Sequence, residues 1–167
     1  FLLSKVLLMA VENKEHRLLD IVATAVREMS EGELLQIEKA RRLDIDEEIY
    51  FEIIRQKTAS LISSCCGVGA ASVSSDEEII GKLKEFGNFL GIAFQIKDDL
   101  FDYQLKNQTG KPSGIDIKEQ KMTLPLIFAL NQASNSDKKR IINTVKNHHD
   151  NPARVAEVVG YVQKSGG

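Results

Sequence analysis

Residues 81–103 read Gly81-Lys-Leu-Lys-Glu-Phe-Gly-Asn-Phe-Leu-Gly-Ile-Ala-Phe-Gln-Ile-Lys-Asp-Asp-Leu-Phe-Asp-Tyr103. At roughly 100° per residue, Gly87, Gly91, Gln95, Asp98 and Asp102 fall in one arc of about 80°. One stripe of the predicted helix is therefore small and polar and ends in carboxylates. Phe86, Phe89, Leu90, Ala93, Phe94, Ile96 and Leu100 cover much of the remaining circumference, which predicts burial on most sides. Such a helix is expected to turn its acidic stripe toward a cavity.

Asp98 and Asp102 are like charges at i,i+4, a pairing that costs roughly 0.2–0.5 kcal/mol in an isolated helix. They also stand at the end of the helix where its dipole is negative. A cationic partner relieves both terms. Clustered oxygen ligands without His or Cys suit a hard divalent ion, and Mg²⁺ takes only one or two carboxylates, completing its shell with water and phosphate oxygens. A metal held here would bridge protein to phosphate. The plainer alternative for Asp98, Asp99 and Asp102 is a solvated acidic helix end.

The 167 residues suffice for one domain, 1–167, with a substantial core. A formal charge of −2, from 24 acids against 22 Lys and Arg, gives no global case for nucleic-acid binding. Cys65 and Cys66 are adjacent and match neither a disulfide framework nor a zinc spacing, so a reduced, cytoplasmic setting is expected. His16, His148 and His149 form no metal or nucleophile pattern. The apolar stretch from Phe1 to Val11 is too short for a membrane span and contains Lys5. It begins without Met in mid-helix, so truncation of a longer protein is expected at this end and is open at the C-terminus.

Leu18, Leu19, Val22, Ala25, Val26 and Met29 predict a helix from Glu15 to about Gln36. The charged run 38–49 reads as a solvated connection, with Asp44 or Asp46 capping the next helix. On that helix Tyr50, Ile53, Ile54, Leu61 and Val68 fall within roughly 60° of Lys57 on a regular wheel. Lys57 thus either snorkels to water or meets an anion, with the Thr58 hydroxyl beside it. Gly67 and Gly69 mark a bend or helix end, and Ser75 with Glu78 has the capping-box spacing. Residues 106–116 read as a loop around Pro112, able to close over phosphate. Lys121 precedes Thr123 and Pro125, which favour a helix start and so an anion site. Residues 124–133, 137–147 and 152–163 read as three further helices. No strand pattern, repeat or linker interrupts this all-α reading.

Taken together, these segments resemble the trans-isoprenyl diphosphate synthases, also called polyprenyl synthetases. Residues 91–102 resemble the second aspartate-rich motif of that family. Gly32-Glu-Leu-Leu-Gln36, Lys57-Thr-Ala59, Gly110-Lys-Pro-Ser-Gly-Ile-Asp116 and Lys121-Met-Thr-Leu-Pro125 resemble other signatures in the family's order. The resemblance implies an isoprenoid synthase-type helical bundle around a central cavity, here incomplete, and a homodimer using Mg²⁺. Its substrates would be an allylic diphosphate, which ionises, and isopentenyl diphosphate, which attacks the cation. By the same resemblance Asp98 and Asp102 hold Mg²⁺, with Asp99 in the outer shell or on a second ion. Lys57, Lys111 and Lys121 neutralise the leaving group, and Thr58 and Gln95 orient it or stabilise the cation. The family's first aspartate-rich motif is absent, so elongation is expected of the intact parent and not of these residues alone. Two rivals are a non-catalytic partner subunit of a prenyl synthase and a generic helical interaction protein.

Overall fold

A computed structural model of the protein describes residues 1–42, 45–104 and 113–167, and among them every regular element is helical. In chain order they are α1 (Leu2–Glu12), α2 (His16–Arg42), α3 (Glu47–Ile54), a π-helical turn (Arg55–Ala59), α4 (Ser60–Ala71) and α5 (Glu77–Asp102). Then come α6 (Ile115–Lys118), α7 (Leu124–Gln132), α8 (Asn135–Asn147) and α9 (Pro152–Ser165). No helix of the described residues is long and apolar enough to cross a membrane.

Several boundaries depart from the sequence expectation for identifiable reasons. The charged run begins as helix, since α2 continues to Arg42. Glu38, Lys39 and Ala40 are good helix formers, and charge alone does not end a helix. Of the two candidate caps for α3, Asp46 accepts from the Ile49 N–H at 2.8 Å, while Asp44 lies outside the described residues. At α5 the cap is Asp76 and not Ser75: its Oδ1 accepts from the N–H groups of Glu78 (2.9 Å) and Ile79 (3.4 Å). Gly67 and Gly69 do not end α4, which runs through both to Ala71. Asn151 caps α9 by accepting from the N–H groups of Ala153 and Arg154, with Pro152 in the first turn.

The described chain groups into two compact units, Phe1–Leu35 with Glu52–Ala93, and Gln36–Phe51 with Phe94–Gly167. In the first, Ile53, Ile54, Ala59, Ala70 and Ile80 are buried. An apolar cleft of about 850 Å³ is lined by residues of α1, α2 and α4, among them Val6, Val22, Met29, Leu61 and Val68. Gly87 and Gly91, expected on a cavity-facing stripe, instead form a seam where backbones touch. A Cβ on Gly91 would lie 2.5 Å from Ala59 Cα and 2.8 Å from its Cβ, and one on Gly87 would lie 2.8 Å from the Ile62 carbonyl oxygen. The opposite surprise is that the apolar face of α5 is open, with Phe86 59% and Phe89 62% exposed. Helical periodicity identifies an apolar face but not whether this chain supplies its cover.

The Gly91 seam makes a direct test of packing. Gly91→Ala is expected to destabilise the protein by about 1–3 kcal/mol, because overpacking outweighs the gain in helix propensity. Gly69→Ala, whose new Cβ meets nothing within 4 Å, is expected to stabilise by up to about 1 kcal/mol. Thermal melts of both variants check the pair, and equal shifts would refute the seam.

In the second unit α9 packs against α7 and α8, around Leu126, Ile141, Val145 and Val162, all essentially inaccessible to solvent. Gly114 precedes α6 with φ +79°, and a Cβ there would stand 2.6 Å from Val155 Cγ1. Both backbone angle and space therefore demand glycine at the point where the chain enters α6.

Candidate functional site

Lys57 and Thr58 lie in the π-helical turn, where the Ser60 N–H donates to the Arg55 carbonyl five residues back. Such a turn holds one residue more than an α turn, which rotates everything after it by roughly 100° relative to a regular wheel. Ile53 and Ile54 before the turn are buried, whereas Leu61 after it is 47% exposed. The apolar ring drawn around Lys57 from sequence is broken for that reason. The Lys57 ammonium pairs with the Glu33 carboxylate of α2 at 2.6 Å and stays partly exposed. Both partners of this pair belong to the first unit.

The second unit holds Gln95, the three acids and Lys121, and it gives the acids different surroundings. Asp98 is exposed, and among the described residues no donor is assigned to it. Asp99 is buried, at 5% exposure. It accepts from Tyr50 Oη on Oδ2 at 2.6 Å and from Gln95 Nε2 on Oδ1 at 2.8 Å. Burial pushes the Asp99 carboxyl above the usual carboxylate range, and those two hydrogen bonds pull it back. Burial, reinforced by the bond to Asp99, pushes the Tyr50 hydroxyl well up, so it remains a protonated donor.

Asp102 closes the connection that follows α5. Its carboxylate accepts from the N–H groups of Ile115 (2.9 Å) and Asp116 (3.0 Å), and its carbonyl accepts from the Gly114 N–H at 3.0 Å. This supplies α6 with an N-terminal carboxylate, since Gly114 has no side chain to offer. Next to it, the Asp116 carboxyl is pushed up to about 6, by burial first and the Asp102 charge second. Lys121 reaches Glu119 at 2.5 Å and Asp116 at 3.4 Å. Burial disfavours the Lys121 charge, but the Glu119 hydrogen bond and the Asp116 carboxylate outweigh it and raise its pKa.

Thr123 occupies the N-cap position of α7, as expected, but its side chain does not cap. Its hydroxyl is instead within 2.8 Å of Tyr103 Oη, in the buried interior. Lys111 lies outside the described residues. Two residues of the cluster were not among the sequence candidates, Tyr50 and Asp116. Tyr50 counted only as an apolar neighbour of Lys57; its hydroxyl, on an otherwise apolar face, was the available signal. Asp116 stood in a quoted signature without a role.

The carboxylates can be weighed as oxygen donors for a divalent cation. Among the described residues no three His, Cys, Asp or Glu form a ready metal cage. Mg²⁺ does not require one, since it binds proteins through one or two carboxylates. Asp98 is open, and each Asp102 oxygen retains a lone pair beyond the N–H it accepts. Asp99 is the poor ligand because it is buried, at 5% exposure. The residues present thus fit a two-carboxylate Mg²⁺ site.

The sequence profile of the family described as Polyprenyl synthetase matches residues 1–162. A short chain isoprenyl diphosphate synthase of Methanothermobacter thermautotrophicus is 39% identical over 126 residues, covering 75% of this chain and 39% of its own. A polyprenyl synthase from Roseobacter denitrificans superimposes with a TM-score of 0.86 at 34% identity, over 98% of this chain and 53% of its own. A polyprenyl synthase from Caulobacter crescentus, complexed with calcium and isoprenyl diphosphate, gives 0.86 at 32% identity over 93% and 48%. The chain therefore spans about half, or less, of the length of these proteins.

Proposed function

We propose, since this chain belongs to the polyprenyl synthetase family, that the whole protein is a prenyltransferase. It joins an allylic diphosphate to isopentenyl diphosphate, giving a longer polyprenyl diphosphate. The allylic C–O bond breaks with its electron pair leaving on diphosphate, the isopentenyl double bond attacks the allylic carbon, and a proton is lost. The observation that carries this reading is the exposed Asp98 carboxylate one helical turn from Asp102, at the helix end to which residues 114–116 return.

Asp98 and Asp102 would hold Mg²⁺, which when bound supplies Lewis-acid stabilisation to the departing diphosphate. Lys57, Lys111 and Lys121 would add positive charge for the same anion, and Thr58 and Gln95 would orient it or stabilise the cation. Each of Lys57 and Lys121 already pairs with a carboxylate, Glu33 and Glu119 respectively, and a phosphate oxygen is an acceptor of the same kind. Asp99 is assigned no ligand role. We infer a homodimer for the whole protein, which sedimentation checks.

The test is to incubate the whole protein with isopentenyl diphosphate and geranyl or farnesyl diphosphate, with Mg²⁺ or with EDTA, and separate labelled products by length. Elongation with Mg²⁺ alone is the expected result. A folded whole protein that elongates under neither condition would instead support a non-catalytic partner subunit.

A further inference from the structure

We propose that Tyr50 is a positioning residue that sets the acidic end of α5 by acting through Asp99, an inference that rests on the function proposed above. Asp99 is a carboxylate where the helix turns into the interior, and burying one is costly unless donors satisfy it. A packed leucine would fill that place at less cost. What the carboxylate adds is a grip on two groups at once. It holds Tyr50 Oη, 49 residues away in sequence on α3, at 2.6 Å, and Gln95 Nε2, one turn earlier on α5, at 2.8 Å.

Tyr50 is itself fixed, being 4% exposed with its ring edge-on to Phe51 at 5.5 Å between centroids. Its hydroxyl is thus an immobile point to which the last turn of α5 is tied. Asp98 stands one residue before Asp99 and Asp102 three after it, so the rotation of this turn sets where both carboxylates point. The same bond turns the Gln95 amide nitrogen to Asp99 and therefore its carbonyl oxygen away. Tyr50 touches neither substrate nor metal in this scheme. It reaches them through hydrogen bonds.

Tyr50→Phe removes the hydroxyl and keeps the ring. In the whole protein, two measurements accompany the melting curve: amide hydrogen exchange of peptides covering 95–103, and calorimetric titration of inorganic diphosphate with and without Mg²⁺. Exchange at the end of α5 is expected to rise about tenfold, and Mg²⁺-dependent affinity for diphosphate to fall about tenfold. Turnover is expected to fall with KM for isopentenyl diphosphate unchanged. Combined with Asp99→Asn, the loss should be smaller than the product of the two single losses, because both act on one link.

Wild-type diphosphate affinity in folded Tyr50→Phe protein would overturn the proposal, as would losses that multiply independently in the double variant. Unfolding of Tyr50→Phe while Asp99→Asn keeps full affinity would also overturn it, making Tyr50 a core residue only. If the unsubstituted protein binds no diphosphate with Mg²⁺, the functional reading itself fails and carries this one with it. Binding that Tyr50→Phe leaves intact defeats the positioning role alone.

Discussion

Asp98→Ala in the whole protein is expected to lower Mg²⁺-dependent elongation by about 10²–10³-fold, the loss usual when one electrostatic stabiliser of a developing anion is removed. The fold should not pay for it. Asp98 is exposed, stands one turn from a second carboxylate, and lies at the negative end of the α5 dipole. Removing its charge therefore relieves roughly 0.2–0.5 kcal/mol of i,i+4 repulsion and a dipole contribution of roughly 0.3–1 kcal/mol. The melting temperature should stay level or rise slightly while turnover collapses. Measuring product formation at saturating substrate alongside a thermal melt checks both halves. Near-normal turnover would remove Asp98 from the metal site, and a large loss of stability would show that its carboxylate has a structural role. Mg²⁺ should also stop strengthening diphosphate binding in this variant, a readout independent of turnover.

The helical class and most helix starts were legible because they follow from local chemistry. Apolar spacing marks α2 and α5, Pro152 after Asn151 opens α9, and Thr123 with Pro125 opens α7. What could not be read is what depends on neighbours. The π-helical turn at Arg55–Ala59 has no sequence marker, yet it shifts the phase of all that follows and separates Leu61 from Ile53 and Ile54. Gly87 and Gly91 read as part of a cavity-facing stripe, but a small residue suits a helix seam as well as a cavity wall. Only the positions of Ala59 and Ile62 decide between them.

The site divides in the same way. Three acids in Asp-Asp-x-x-Asp spacing announce shared chemistry, but spacing treats them as similar. On a helix Asp98 and Asp99 point about 100° apart, and here that angle separates solvent from interior. Asp99 needs donors, and Tyr50 comes from a segment 49 residues away that no local pattern connects to it. Asp116 likewise acquires its raised pKa from burial and from Asp102, both consequences of the chain returning after residues 103–113. The four-residue α6 is too short to show periodicity, so its sequence reads as the tail of a loop.

Asp102→Ala should produce the converse of Asp98→Ala, a large loss of stability as well as of turnover. Its carboxylate receives two backbone N–H groups, from Ile115 and Asp116. Hydrogen bonds to a charged acceptor contribute about 1.5–3 kcal/mol each, and donors left buried add a penalty. The relief of repulsion with Asp98 returns only about 0.2–0.5 kcal/mol. Two such bonds less that relief leave a net loss of about 2.5–6 kcal/mol, lowering the melting temperature by about 5–24 °C at about 2–4 °C per kcal/mol for a protein of this size. Asp102→Asn keeps one acceptor oxygen and should fall between wild type and Ala, since its amide group cannot accept from the second N–H. The loss should be local: faster hydrogen exchange across residues 113–121 would show α6 and the Lys121 segment released from the end of α5. If Asp102→Ala melts like wild type with exchange unchanged, its carboxylate does not hold this return. The two N–H groups must then be satisfied by other acceptors.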